Sequence, residues 1–272
     1  YQMQYNTKNY VEWQIGMDMH ATFKNQWSWG FFFDMVPFGE DDYYEARKDG
    51  QVYKQAPATY GGTFIGSDRR KKLSFNAFAM YWKTSSDYNE NMFRFEIAPT
   101  WRINDKLRFT LEINPVFKNN DIGYVDEISS DTTIFGRRDR KTIANTLVTD
   151  FTFNNKMSIS LRARHYWSSA TYKQFYTLNT DGTLTENDQY NENQDINFNA
   201  FNIDMVYTWR FAPGSDILVV WKNAIYDEGI VVLNDYFENL NNTFKASQTN
   251  LFSIKVLYYL DYLYLKRKKK QN

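Results

Sequence analysis

The 272-residue chain has no cysteine, two histidines, five prolines and twelve glycines. Without thiols it has no disulfide, no thiolate zinc site and no cysteine nucleophile, and the redox compartment stays open. Its 32 basic and 32 acidic residues cancel to a formal net charge of +0. Bulk charge therefore draws in neither nucleic acid nor an acidic substrate. No stretch approaches the roughly 20 consecutive apolar residues of a membrane-crossing helix, and no charged segment followed by an apolar core opens the chain. Any membrane crossing must be made by strands. No Pro/Ser-rich linker or shift of composition divides the sequence, so residues 1–265 read as one domain, followed by a basic tail at 266–272.

What the chain does have is aromatic surface, with 22 Phe, 21 Tyr and 8 Trp making 19% of its residues. Much of it falls on alternating positions. Val11, Trp13, Ile15, Met17, Met19, Ala21 and Phe23 interleave with Glu12, Gln14, Gly16, Asp18, His20, Thr22 and Lys24. The same period of two recurs from Leu107, from Met157, from Phe201 and from Phe252, the last running to Tyr264. Such alternation predicts strands with one apolar and one polar face. They exceed the five or six residues usual in globular sheets and match the roughly nine to eleven of a tilted strand crossing hydrocarbon.

The connections fall into two kinds. Tight turns are expected at 24–26, 104–106, 154–156 and 212–216, where Asn, Asp and Gly accept the backbone that short hairpins need. Long polar segments run over 38–55, 179–194 and 227–248, and further breaks fall near 67–71, 85–91 and 127–132. Outer-membrane barrels keep short turns on the periplasmic side and long loops outside, so the two kinds assign two faces. In hydrocarbon every backbone donor and acceptor must pair internally, which for strands means a closed sheet. The expected fold is an all-β antiparallel transmembrane β-barrel with about eleven strands. Because bacterial single-chain barrels have even strand numbers, these eleven are expected to be the C-terminal part of a larger barrel. Trp27, Trp29, Trp101, Trp209, Tyr262 and Tyr264, near strand ends, suit a headgroup-level girdle. A soluble barrel or sandwich is the competing reading, since alternation alone does not separate the two.

The segments RFAPGSDILVVWKNA at 210–224 and NLFSIKVLYYLDY at 250–262 resemble the C-terminal signature of a family of Bacteroidota surface proteins. Those proteins join a domain like the family 9 carbohydrate-binding modules to a C-terminal outer-membrane barrel domain of unknown function. The resemblance implies an outer-membrane location and a glycan-related role, and carries over no catalytic residue.

Chemistry-bearing residues sort by face. Arg108, Glu112, Asp150, Arg162, Arg164, Asp204, Arg210, Lys255 and Asp261 fall in the polar set and are expected to line the lumen, pairing across strands or setting a field along a pore. His20 and His165 fall on opposite faces and do not form a shared metal site. Neither a catalytic group, a metal set nor a cofactor motif emerges; a hydrolase would need a serine or an acid beside His20. The run Arg137, Arg138, Asp139, Arg140, Lys141, near the outer end of a strand by the turn assignment, reads first as a solvated loop charge run and second as a contact for lipopolysaccharide phosphates. The 266–270 run reads first as a solvated tail and second as a headgroup contact. Glu40, Asp41 and Asp42 lack the glycine and terminal glutamate of an ordered calcium loop.

The leading functional reading is an outer-membrane scaffold or channel with its C-terminus in the periplasm. Its expected partners are outer-membrane lipid and lipopolysaccharide, with glycans or other surface proteins, and no nucleic acid. The alternatives are the C-terminal strands of an energy-coupled transporter and, third, a barrel-embedded hydrolase.

Overall fold

The computed structural model describes residues 1–129 and 131–263. Its elements are β1 (Gln2–Met3), β2 (Tyr10–Glu12), β3 (Ile15–Thr22), β4 (Ser28–Val36), β5 (Glu40–Asp42), β6 (Tyr53–Gln55), β7 (Ala58–Gly66) and β8 (Leu73–Thr84). They continue with β9 (Asn91–Arg102), β10 (Leu107–Ser129), β11 (Thr132–Asn154), β12 (Met157–Leu178), β13 (Leu184–Glu186), β14 (Ile196–Ala212), β15 (Ser215–Gly229), α1 (Tyr236–Lys245) and β16 (Gln248–Leu257). Eleven of the strands form one continuous antiparallel path, β16-β15-β14-β12-β11-β10-β9-β8-β7-β4-β3, with short β13 added beside β12. The sheet is open, with β3 and β16 as its two edges.

Period-two alternation sets the register. Met17 faces Phe33, Phe95 faces Ala79, Leu111 faces Leu147, Leu161 faces Met205 and Trp221 faces Phe252 across neighbouring strands, so the apolar sets of successive strands share one face. A one-residue slip would exchange the faces. The apolar face is uncovered over much of its area: Met17 is 62% exposed, Phe252 72% and Ile254 72%. Phe31, Phe33, Phe93, Phe95, Trp101 and Trp209 lie on the same face.

Long connections (37–57, 179–195 and 230–247) all lie at one end of this path, though that end also carries two short ones, 85–90 between β8 and β9 and 130–131 between β10 and β11. At the opposite end, short turns join β3 to β4, β9 to β10, β11 to β12 and β14 to β15 where tight turns are expected, and β7 to β8 where a break is expected near 67–71. The Asn104 side chain accepts the amides of Lys106 and Leu107 (2.8 and 2.9 Å), Asn154 accepts the amide of Lys156 (2.8 Å), and Gly214 takes φ +71°. The intervening connections lie at the other end of the sheet. There β1, β2, β5 and β6 make a separate four-stranded sheet.

The structure departs from the sequence reading in four places. The alternation from Val11 is two strands: β2 joins the small sheet, and only β3 enters the large one. Strands β10, β11 and β12 run 23, 23 and 22 residues, about twice the expected length. At about 3.3 Å per residue and a 45° tilt they rise roughly 50 Å, against an apolar band of about 25 Å in outer-membrane barrels. Strand β16 stops at Leu257, because its partner β15 begins at the Gly214 turn and residues 258–262 have no ladder to join; the Tyr259 amide makes a last tie to Ser215 Oγ (3.0 Å). Finally, the long segment before β16 holds a helix, α1. Tyr264 and the basic tail lie outside the described residues.

The most buried apolar residues collect at the loop end. Ala46, Tyr53, Ile122, Phe135, Tyr176 and Leu178 form a cluster packed by Tyr88 and Leu184. Three connections thus fold onto the projecting ends of β10, β11 and β12. Thr133 Oγ1 donates to Gln51 Oε1 (2.9 Å), and the Lys54 amide donates to the Gly182 carbonyl (2.9 Å).

Candidate functional site: the polar face of the sheet

Opposite the apolar face, the even-numbered positions of the central strands form a ladder of ion pairs. Arg108 on β10 donates to Asp150 on β11 (2.6 Å), and Asp150 also accepts Ser160 Oγ on β12 (2.9 Å). Arg164 on β12 reaches Asp204 on β14 (3.3 Å), which Lys222 on β15 approaches from the other side (3.7 Å). Arg210 pairs with Asp216 across the last turn (3.1 Å). These side chains are half-exposed or nearly so, which suits a wet face where charges keep hydration; each such pair contributes about 0–1 kcal/mol to stability.

Of the expected lumen residues, Arg108, Asp150, Arg164, Asp204 and Arg210 are thereby brought into cross-strand pairs. Arg162 shares their face, opposite Val148, and Lys255 faces Leu218. Glu112 lies on β10 opposite Thr146. Asp261 is a correction: it sits beyond β16 and accepts the Leu263 amide (2.9 Å) instead of lining the sheet. Lys222 and Asp216 complete the ladder and were findable from the alternation of β15, since both fall on its even positions.

The histidines part as expected and to different ends. His20 lies on the polar face opposite Gly30, its ring 5.6 Å from Phe64, with no serine or acid hydrogen-bonded to it among the described residues. His165 lies on the apolar face yet is buried, because α1 covers it: Tyr236 Oη stands 3.0 Å from His165 Nδ1 and accepts Asn145 Nδ2 (2.7 Å). Beside them Asn239 Oδ1 of α1 accepts Asn197 Nδ2 (2.9 Å) and Asn199 Nδ2 (3.2 Å). No group of three or more His, Cys, Asp or Glu residues suited to a metal ion occurs among the described residues.

The basic run at 137–141 is a second correction. It is no solvated loop but the middle of β11, paired on both sides. Arg138 is nearly buried and donates to Asp121 (3.1 Å) and Tyr172 Oη (2.7 Å), while Lys141 on the apolar face sits over the Trp167 ring (5.2 Å).

A family described as "Domain of unknown function (DUF5916)" matches residues 1–269 in sequence pattern. The chain belongs to this family. No curated protein matches this DUF5916 chain in sequence. Among solved structures, the ferric citrate transporter FecA in its unliganded form matches with a TM-score of 0.50 at 9% identity, over 92% of this chain and 39% of that one. The copper transporter OprC matches with a TM-score of 0.48 at 12% identity, over 80% of this chain and 36% of its own. The DUF5916 chain thus spans well under half the length of either. At 9% identity the likeness to FecA concerns the fold alone, a long antiparallel sheet.

Proposed function

We propose that this DUF5916 chain is part of the wall of an outer-membrane β-barrel that serves as a channel or scaffold, its apolar face in lipid, its long connections outside the cell and its C-terminus in the periplasm. The observation that carries the reading is the two-sidedness of the eleven-strand path: exposed Phe, Met, Ile and Trp on one face, a hydrated ion-pair ladder on the other. In water the first face would be a large aggregation surface; in a bilayer it is in its proper solvent, with Trp29, Trp101 and Trp209 near the headgroups. The edges β3 and β16 run in the same direction, both toward the short-turn side. Antiparallel closure then needs an odd number of further strands between them, which gives an even total. The presentation of a glycan-binding domain at the cell surface belongs to the same proposal, on the strength of the two resembling segments.

A second reading, the barrel of an energy-coupled transporter, is favoured by the fold likeness to FecA and would add a plug inside the lumen. Because the chain has no native cysteine, single-cysteine labelling in intact outer membranes separates the possibilities. A water-soluble maleimide is expected to label the polar-face substitutions Thr208→Cys and Ser160→Cys and to miss the apolar-face substitutions Met205→Cys and Val219→Cys. Equal labelling of the two sets would sink the membrane reading, and polar-face labelling blocked until a plug is removed would favour the transporter.

A further inference from the structure

Where β10, β11 and β12 project past the ladder, Lys118, Arg138, Arg140 and Arg47 lie close together. Asp121 receives Lys118 Nζ at 3.0 Å, Arg138 Nε at 3.1 Å and Arg140 Nε at 3.4 Å. Arg47, held at φ +53° in the segment between β5 and β6, stacks its guanidinium 4.5 Å from the centre of the Tyr124 ring and has no carboxylate partner among the described residues. The nearby acids are already engaged: Glu45 Oε1 accepts the Tyr124 amide (2.9 Å), buried Glu90 Oε1 the Ile122 amide (3.3 Å), Asp195 Oδ1 the Tyr172 amide (2.8 Å) and Asp139 Oδ1 the Lys173 ammonium (2.7 Å).

Beside this group lies a cavity of about 390 Å³ whose walls include Arg47, Arg138, Arg140, Tyr166, Ser168 and Tyr172. Its position is fixed by register: Arg138 faces Tyr172, Arg140 faces Ala170 and Thr142 faces Ser168, continuing the polar face upward from the ladder. Asp121 and Tyr172 already occupy the Arg138 guanidinium. Among the described residues the Arg140 guanidinium has only its shared, longer contact with Asp121, and that of Arg47 only a ring. Two guanidinium forks with unspent donors thus border one polar hollow. A planar fork of this kind suits the paired oxygens of a carboxylate or phosphate. The volume is within the range of small-molecule sites.

We propose that this cavity binds the oxyanion group, carboxylate or phosphate, of a small water-soluble solute, with Arg47 and Arg140 as its direct contacts and Asp121 positioning Arg138 and Arg140. The source is a soluble solute and not a lipid headgroup, because the cavity opens on the face opposite the apolar one. The inference goes beyond the barrel reading and does not need the sheet to close.

The test is calorimetric titration of the purified full-length protein in neutral detergent with inorganic phosphate, with glucuronate, and with glucose as the uncharged control. Saturable binding of phosphate or glucuronate and none of glucose is expected, weakening as salt is raised. Arg140→Gln and Arg47→Gln should each weaken it at least tenfold, while Arg210→Gln, at the turn end of the same face, should leave it unchanged. A near-wild-type strand signal in circular dichroism must accompany each variant; Arg140→Lys, which keeps the charge and loses the fork, serves if Arg140→Gln misfolds and should show intermediate affinity. Absence of anion binding to the wild type, binding undisturbed by both substitutions, or displacement of the bound anion by lipopolysaccharide micelles in place of soluble anions would each overturn the proposal. Failure of cysteine labelling to separate the two faces would overturn the membrane reading while leaving this result standing.

Discussion

Asn239 shows how a polar residue fixes a helix to a sheet. It is fully buried, its amide Nδ2 donating to the Leu233 and Asp235 carbonyls (3.0 and 2.7 Å) while its Oδ1 accepts from two sheet asparagines. Asn239→Ala removes four hydrogen bonds and strands the Asn197 and Asn199 side chains, a loss of about 1–3 kcal/mol for the buried groups left unpaired. The expected outcome is faster amide exchange across α1 with the exchange of β10 and β11 unchanged; unaltered protection of α1 would show that apolar contacts such as Phe244 on Phe201 hold the helix by themselves. Gly214 is a backbone case. At φ +71° any other residue is strained, and a Cβ there would stand 2.9 Å from the Tyr259 Cβ. Gly214→Ala should cost about 1 kcal/mol or more, read as a lower midpoint of thermal unfolding, whereas Gly50→Ala, with open space around it, carries the φ penalty without the clash and should cost less.

The small sheet and α1 are elements whose stability rests on local chemistry. In the small sheet Glu40 pairs with Glu12. Burial raises the Glu40 carboxyl above the ordinary range, and the charges of Asp42 and Glu12 push it further the same way. A raised acid pKa means that the folded sheet holds the proton more tightly than the unfolded chain, so the sheet gains stability as pH falls from neutral through the raised value. Protection factors for β2 and β5 amides, corrected for intrinsic exchange, should rise between pH 7 and pH 5, and Glu40→Gln should remove that dependence; a pH-independent wild type would contradict the assignment. The helix is capped at Asp235, whose side chain accepts the Glu238 amide (2.7 Å), and Phe237 on it is exposed, as are Ile230 and Val231 in the segment before it. Its place on the apolar face, at the loop end of β14 and β15, follows from the asparagines there. Asn145, Asn197, Asn199 and Asn223 interrupt the apolar alternation and would be costly in bare hydrocarbon. Three of these asparagines, with His165, meet α1 or each other under its cover.

At the scale of the molecule the charge ladder adds little stability and fixes the character of the inner face. Asp204→Asn leaves Arg164 and Lys222 without their shared carboxylate. Because such half-exposed pairs are worth about 0–1 kcal/mol, the melting temperature should change little, while the face becomes more positive. In a planar bilayer with a salt gradient the reversal potential is then expected to shift toward anion preference. An unchanged potential through a conducting pore would mean that this face does not border the ion path. The open edges are the other whole-molecule property. A row of unpaired backbone groups on β16, all of whose residues are exposed, is untenable in hydrocarbon and a site for pairing in water.

The large sheet was legible in the sequence because strand alternation is a local property: each side chain's face follows from its parity, and the short turns carry their own Asn, Asp and Gly signals. That sufficed for eleven strands and for the shared face of Arg108, Asp150, Arg164 and Asp204, but not for which of them pair nor for the short connections at 85–90 and 130–131 on the side of the long ones. It did not suffice where parity breaks. Irregular register between Lys118 and Asp121 and between Arg137 and Arg138 hid the cations around Asp121, so a basic run placed near a strand's outer end read as solvated although it is paired on both sides. Helix α1 was missed because its capping signal lies within a long polar segment and its buried residues, Asn239 and Thr243, are polar. The sequence by itself determined which face of each strand is apolar and where the chain turns back, since both depend on neighbouring residues alone. Only the tertiary structure decided how far β10, β11 and β12 project, which connections pack on them and that Arg47 and Arg140 border one cavity, because those arrangements join residues that are far apart in the chain and leave no periodic trace in it.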